Sequence, residues 1–210
     1  MQHYVTLLPI LLLAGICEGL TYYFGNGSHY EGDVDDLGRP SGDGQFFTNQ
    51  GTLTYNGTFS AGQYNGTGQW FSNGHSYQGD FLDGVAAGLG SWLTPKGDVV
   101  TGEFSNHTVH GNATWWFSNA IPRLEKMAGT FRNGLAHGEG VVIFKDGSRL
   151  ESKFKKGYPH GVGKVTDDEG SLIWDGIIWN GKPMGNVSED IENLFLDLNL
   201  NPLRLKYQET

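Results

Sequence analysis

The chain has 210 residues with Gly at 33 positions, 13% aromatics, only 18% charged residues and a net charge of -9. Disordered chains show the opposite balance of aromatics and charge, and the ordinary count of 7 Pro excludes a collagen-like or Pro-rich rod. A nucleic-acid binder needs a basic surface, so that class is excluded, and anionic membranes are disfavoured as partners despite a late group of Lys145, Lys153, Lys155, Lys156 and Lys164.

Taken from the start, residues 1–19 are expected to be a signal peptide. Tyr4–Ala14 is almost wholly apolar, and Gly15, Cys17 and Gly19 supply small residues for cleavage near Cys17 or Gly19. The run is shorter than the roughly 20 residues of a membrane span. Pro9 interrupts it and no Lys or Arg precedes it, which leaves an uncleaved anchor or a buried strand as the alternatives. Cys17 is the only cysteine, so no disulfide framework exists and a packed core must hold the fold. Six glycosylation acceptor patterns follow, at Asn26, Asn56, Asn65, Asn106, Asn112 and Asn186. Six behind an apolar leader lead to the expectation of a secreted or secretory-lumen glycoprotein.

Residues 20–185 read as one repeat domain of about seven units. A five-residue element, apolar-x-Gly-x-apolar, starts at Tyr30, Tyr55, Tyr77, Val100, Met127, Leu150 and Trp174. Each is followed by a Gly-x-Gly element ending in apolar residues, as in Gly66-Thr67-Gly68-Gln69-Trp70 and Gly138-Glu139-Gly140-Val141-Val142. Turn pairs separate them: Asn73-Gly74, Asp83-Gly84, Asn133-Gly134, Asp146-Gly147 and Asn180-Gly181 among others. Such pairs supply the positive φ angles of tight hairpins. Each unit is therefore strand, turn, strand, turn. Side chains alternate along a strand, so the first and fifth positions form two apolar columns, and position two (Glu31, Asn56, Gln78, Thr101) lies on the opposite, polar face.

This pattern resembles the MORN repeat, closest over Met127–Gly147 and covering residues 30 to about 185. The resemblance implies an all-β fold: an elongated meander of tandem β-hairpins in one continuous antiparallel sheet. It also implies a scaffold or binding module. Departures occur at Ala113, at Ser152 and in the longer fourth unit through Asn119–Lys126. Residues 186–210 form a C-terminal helix and tail. Ile191, Leu194, Phe195 and Leu198 recur at helical spacing behind Ser188, Glu189 and Asp190, which suits a capping helix over the sheet end.

The sequence contains no catalytic constellation and implies no cofactor or metal. His110, His137 and His160 precede Gly at matching positions, but a turn role accounts for them better than a metal site. Asp33, Asp80 and Glu103 recur at position four and read as a solvated face. Position six of the second element offers the candidate binding residues: Phe47, Phe71, Leu93, Trp116 and Ile143 are apolar and point away from the Trp70 and Trp92 column. Either they form an exposed stripe that contacts a protein partner, or curling of the strands buries both faces; the second account is slightly favoured. The functional expectation is a non-catalytic, protein-binding scaffold. The alternatives are a cytosolic membrane-associated MORN scaffold and a regulatory repeat fragment related to a SET-domain lysine methyltransferase.

Overall fold

The computed structural model describes residues 20–119, 121–196 and 198; the signal peptide expected over residues 1–19 and the tail past residue 198 lie outside them. Fifteen strands follow one another: β1 (Leu20–Tyr23), β2 (His29–Val34), β3 (Pro40–Phe47), β4 (Leu53–Ser60), β5 (Gln63–Ser72), β6 (His75–Leu82), β7 (Val85–Leu93), β8 (Val99–Ser105), β9 (Thr108–Trp116), β10 (Leu124–Arg132), β11 (Leu135–Phe144), β12 (Arg149–Lys155), β13 (Tyr158–Thr166), β14 (Leu172–Trp179) and β15 (Lys182–Pro183). One helix, α1 (Glu189–Phe195), comes last. The strands form one open antiparallel sheet in sequence order. The chain divides into two compact units, Met1–Gly88 and Leu89–Thr210.

In the first unit the inner face is a packed layer of rings. Tyr30, Tyr55, Phe59, Trp70, Tyr77 and Phe81 are all buried. Tyr55 stacks on Tyr64 at 3.7 Å and meets Phe59 and Phe81 edge-on at 5.0 and 5.1 Å. Each buried ring of this size contributes roughly 1.5–3 kcal/mol through apolar burial. The tyrosine hydroxyls are not stranded: Tyr30, Tyr55 and Tyr77 donate to the carbonyls of Asp33, Thr58 and Asp80 at 2.8, 3.0 and 3.2 Å. Room for the rings comes from a row of facing glycines across the strands, Gly32, Gly44, Gly57, Gly68 and Gly79. A Cβ placed on Gly68 would lie 2.5 Å from Tyr55 Cζ, well inside contact distance.

The second unit continues the pattern with Val100, Met127 and Leu150 in place of the first-column tyrosines. Its row runs Gly102, Ala113, Gly129, Gly140, Ser152, Gly163 and Gly176. The two departures from the repeat, Ala113 and Ser152, thus sit in the glycine row. They are tolerated because the residues two positions before Gly102 and Ser152 are Val100 and Leu150, which carry no ring over the row. A Cβ on Gly140 would meet Phe154 Cδ2 at 3.0 Å and Met127 Cε at 3.2 Å, tight contacts with side chains that can shift.

Position four is not a plain solvated face. The strand register slips just past the row in several units, between Gly32 and Val34, Gly57 and Phe59, Gly102 and Phe104, and Gly129 and Phe131. Position-four side chains bind the partner strand at these bulges. Glu103 Oε1 accepts from the Asn112 amide at 3.0 Å, and the Thr58 and Thr130 hydroxyls donate to the carbonyls of Asn65 and His137. The expected Asn73-Gly74, Asp83-Gly84, Asn133-Gly134 and Asn180-Gly181 turns have positive φ at both residues, and so do Ala61-Gly62, Lys156-Gly157 and Asn106-His107, which carry no equally plain sequence signature.

The expected helix closes the second unit. Ser188 Oγ caps it by accepting from the Ile191 amide at 3.5 Å. Ile191, Phe195 and Leu198 are buried, and Phe195 packs edge-on against Trp174 at 5.7 Å. Arg123 Nη1 donates to the Asn193 carbonyl at 2.7 Å, fixing the helix to the β9–β10 connection.

Two outcomes follow from this packing. Gly68→Ala should cost about 3 kcal/mol and Gly140→Ala about 1 kcal/mol or less in urea unfolding, because overpacking is severe only where neighbours cannot move; equal losses would contradict the role given to the Tyr55 ring. Burial pushes the Tyr30 and Tyr64 hydroxyls up to about 12 and raises Tyr55 and Tyr77 as well. The unfolded chain releases these protons near pH 10, so the folded state holds them longer. Stability is full below pH of about 10 and is lost as pH rises towards about 12. Strand circular dichroism should therefore fall together with ionisation of these four phenols, monitored by comparison with single Tyr→Phe variants; their ionisation in a fully folded chain would contradict the burial.

Candidate interaction surface

The five position-six residues all lie on the outer face. Leu93 and Trp116 are 41% and 42% exposed, while Phe47, Phe71 and Ile143 are half-buried. Curling therefore does not bury both faces: the inner rings already fill the side on which side chains pack, and among the described residues no second layer covers the other side. In the first unit Phe47 stacks on His29 at 4.7 Å with planes 7° apart, and His29 lies 5.3 Å from Tyr23. Phe71 lies opposite Ser76. In the second unit one cross-strand row runs Val99, Trp116, Lys126, Ile143 and Arg149. Lys126 Nζ sits 4.4 Å from the Trp116 ring centroid, a cation–π contact of about 0.5–1 kcal/mol at an exposed site. The structure thus brings Trp116 and Ile143 into one row, with Lys126 between them.

A second apolar patch was missed by reasoning from repeats. Val162 is 71% and Trp179 60% exposed, and Ile177 and Met184 are also exposed. Val162 faces Ile177 across β13–β14. The signal was present as a break in pattern. Ile177 holds position four, where other units carry Asp, Thr, Glu or Lys, and Val162 sits between two glycines, where most units carry a polar residue.

The acceptor asparagines all avoid the inner face. Asn26, Asn56, Asn106, Asn112 and Asn186 are exposed, and Asn65 is half-buried with its Nδ2 donating to Asp83 Oδ1 at 3.2 Å. Asn26 Oδ1 accepts from both the amide and the hydroxyl of Ser28, at 3.0 and 2.6 Å. His110, His137 and His160 lie on β9, β11 and β13. They sit on alternate strands, about 10 Å apart at the backbone, and no group of three potential metal ligands occurs among the described residues. In the turn after β2, the Arg39 guanidinium bound to Asp35 holds that carboxyl below its ordinary range.

Comparison with known proteins bears on the repeats. The MORN repeat model matches residues 55–76, 77–99, 128–149 and 151–172, which correspond to the second, third, fifth and sixth units. No curated protein matches the chain. The TCP10 domain of Danio rerio CPAP is similar at 13% identity over 82% of this chain and 100% of that chain, with a TM-score of 0.21. A point mutant of the same domain is similar at 14% identity over 82% and 99%, with a TM-score of 0.22. No helix among the described residues is long and apolar enough to cross a membrane. With four family matches falling on hairpins that share one glycine-row architecture, the chain is a protein of tandem MORN repeats.

Proposed function

We propose that this chain is a non-catalytic scaffold, secreted or held in the secretory lumen as a glycoprotein, that captures a protein partner on the outer face of its sheet. The observation that carries this reading is the exposure of Leu93 and Trp116 on strands whose opposite face is a filled core. Contiguous exposed aromatic and aliphatic side chains mark protein contact sites. Ile143 lies on the same outer face of the second unit, and Phe47 and Phe71 lie on the outer face of the first. The apolar leader and the surface placement of the acceptor asparagines support the secretory reading. The exposed sequons give glycans room outside the ring layer.

Two experiments test the two parts. Glycosidase treatment of protein expressed in animal cells should increase gel mobility; unchanged mobility would remove the secretory reading and favour a cytosolic scaffold. Substituting Phe71 and Trp116 together by Ser should leave the thermal midpoint within a few degrees, since outer-face changes of this kind cost about 0.5 kcal/mol each. The same pair should abolish capture of the partner recovered by the parent chain. Unfolding of the double variant would place these rings in the core instead.

A further inference from the structure

The two units differ sharply in charge. Met1–Gly88 contains a single basic side chain, Arg39, which is already bound to Asp35 at 2.7 Å. Every other one of the chain's 14 Lys and Arg residues falls in Leu89–Thr210. On the outer face of β12–β15, Lys153, Lys155 and Lys182 stand around the exposed Val162, Ile177 and Trp179. Lys182 is directly opposite Trp179, and Val162 is directly opposite Ile177. Lys153 pairs with Glu139 at 3.4 Å, but their side chains are 70% and 77% exposed, so that pair is weak and exchangeable. In the other unit, the outer face of β1–β3 carries Glu31, Asp33 and Asp43 beside Tyr23, which is 56% exposed. Lys and Arg are absent from those three strands.

Glu151 and Asp175 share this face, but the patch has more lysines than carboxylates, and an apolar patch of that kind fits a partner surface that pairs apolar side chains with carboxylates. The chain itself supplies such a surface at its first three strands. We propose that the lysine-bearing apolar patch of β12–β15 in one copy binds the acidic face of β1–β3 in a second copy. The contact joins two different surfaces, so the copies assemble either as a closed ring or as an open chain. The net charge of -9 opposes any non-specific clustering. Local ion pairing with exclusion of water around Trp179 has to overcome that repulsion.

Salt separates the two effects. At about 0.1 M the Debye length is about 10 Å, which weakens repulsion between whole copies but leaves close ion pairs; at about 1 M it is about 3 Å, which weakens the pairs too. Sedimentation velocity of the full chain should show a weight-average mass that climbs with protein concentration at about 0.1 M salt and falls back towards monomer at about 1 M. Lys155→Glu with Lys182→Glu should weaken association about tenfold or more, the equivalent of about 1.4 kcal/mol. Glu31→Lys with Asp43→Lys should do the same. All four positions are on the outer face, so circular dichroism should remain that of the parent. Mixing the two charge-reversed proteins should restore assembly, because acid and base then meet again in exchanged positions; a folding defect would not be rescued this way. A parent chain that stays monomeric at every concentration, reversed variants that associate as well as the parent, or a chain that remains monomeric yet sediments with phosphatidylserine vesicles would each overturn the proposal.

Discussion

The fold rests on one steric bargain: an aromatic or long aliphatic side chain lies flat over a place where two neighbouring strands have no Cβ. The facing glycines let Tyr55 settle close to the backbone, and its hydroxyl then reaches the Thr58 carbonyl at 3.0 Å. That one arrangement satisfies a polar group, buries a ring and sets the register of a hairpin. Repeated from strand to strand, it gives a single sheet a dry face without a second sheet to pack against. Elements that usually need a partner layer are here completed by their own side chains and by the glycine row.

The consequence for function is a division between the two faces. The inner face tolerates only small changes, and they come in compensating sets, as with Ala113 beside Val100 and Ser152 beside Leu150. The outer face carries few such constraints. Its rows range from the amide-rich Gln45, Asn56, Gln69 and Gln78 of the first unit to the charged Glu151, Lys164 and Asp175 of the second. The proposed binding function places specificity in those rows, and the columns beneath keep them in register.

The legible part of the sequence was the part governed by period. Columns of Tyr, Phe and Trp at matching positions, glycines between them and Asn-Gly or Asp-Gly turns located the hairpins, because each of those residue types has one strong reason to be where it is. Ser188 and the Ile191, Leu194, Phe195 spacing located the helix in the same way. What escaped was governed by partners rather than period. Whether Thr58 or Glu103 faces water or a bulged backbone depends on the strand opposite. The Asn106-His107 turn has no glycine at either position of positive φ, so composition does not announce it. The patch at Val162 and Ile177 becomes visible only once two strands are laid side by side, although each residue separately broke the local pattern. The position-six residues are legible as apolar, but which of them are exposed, Leu93 and Trp116, depends on packing that the local sequence does not carry.

Strand order has a kinetic meaning as well. Each strand pairs with the strands immediately before and after it in the chain, so no loop longer than a hairpin connection has to be closed. The entropy lost at each closure is small, and such local topologies assemble quickly for all-β proteins. A polypeptide delivered gradually through a narrow pore, amino end first, can therefore finish one hairpin while the next is still in transit. Its exposed edge at any moment is a single strand awaiting the neighbour that is already on its way.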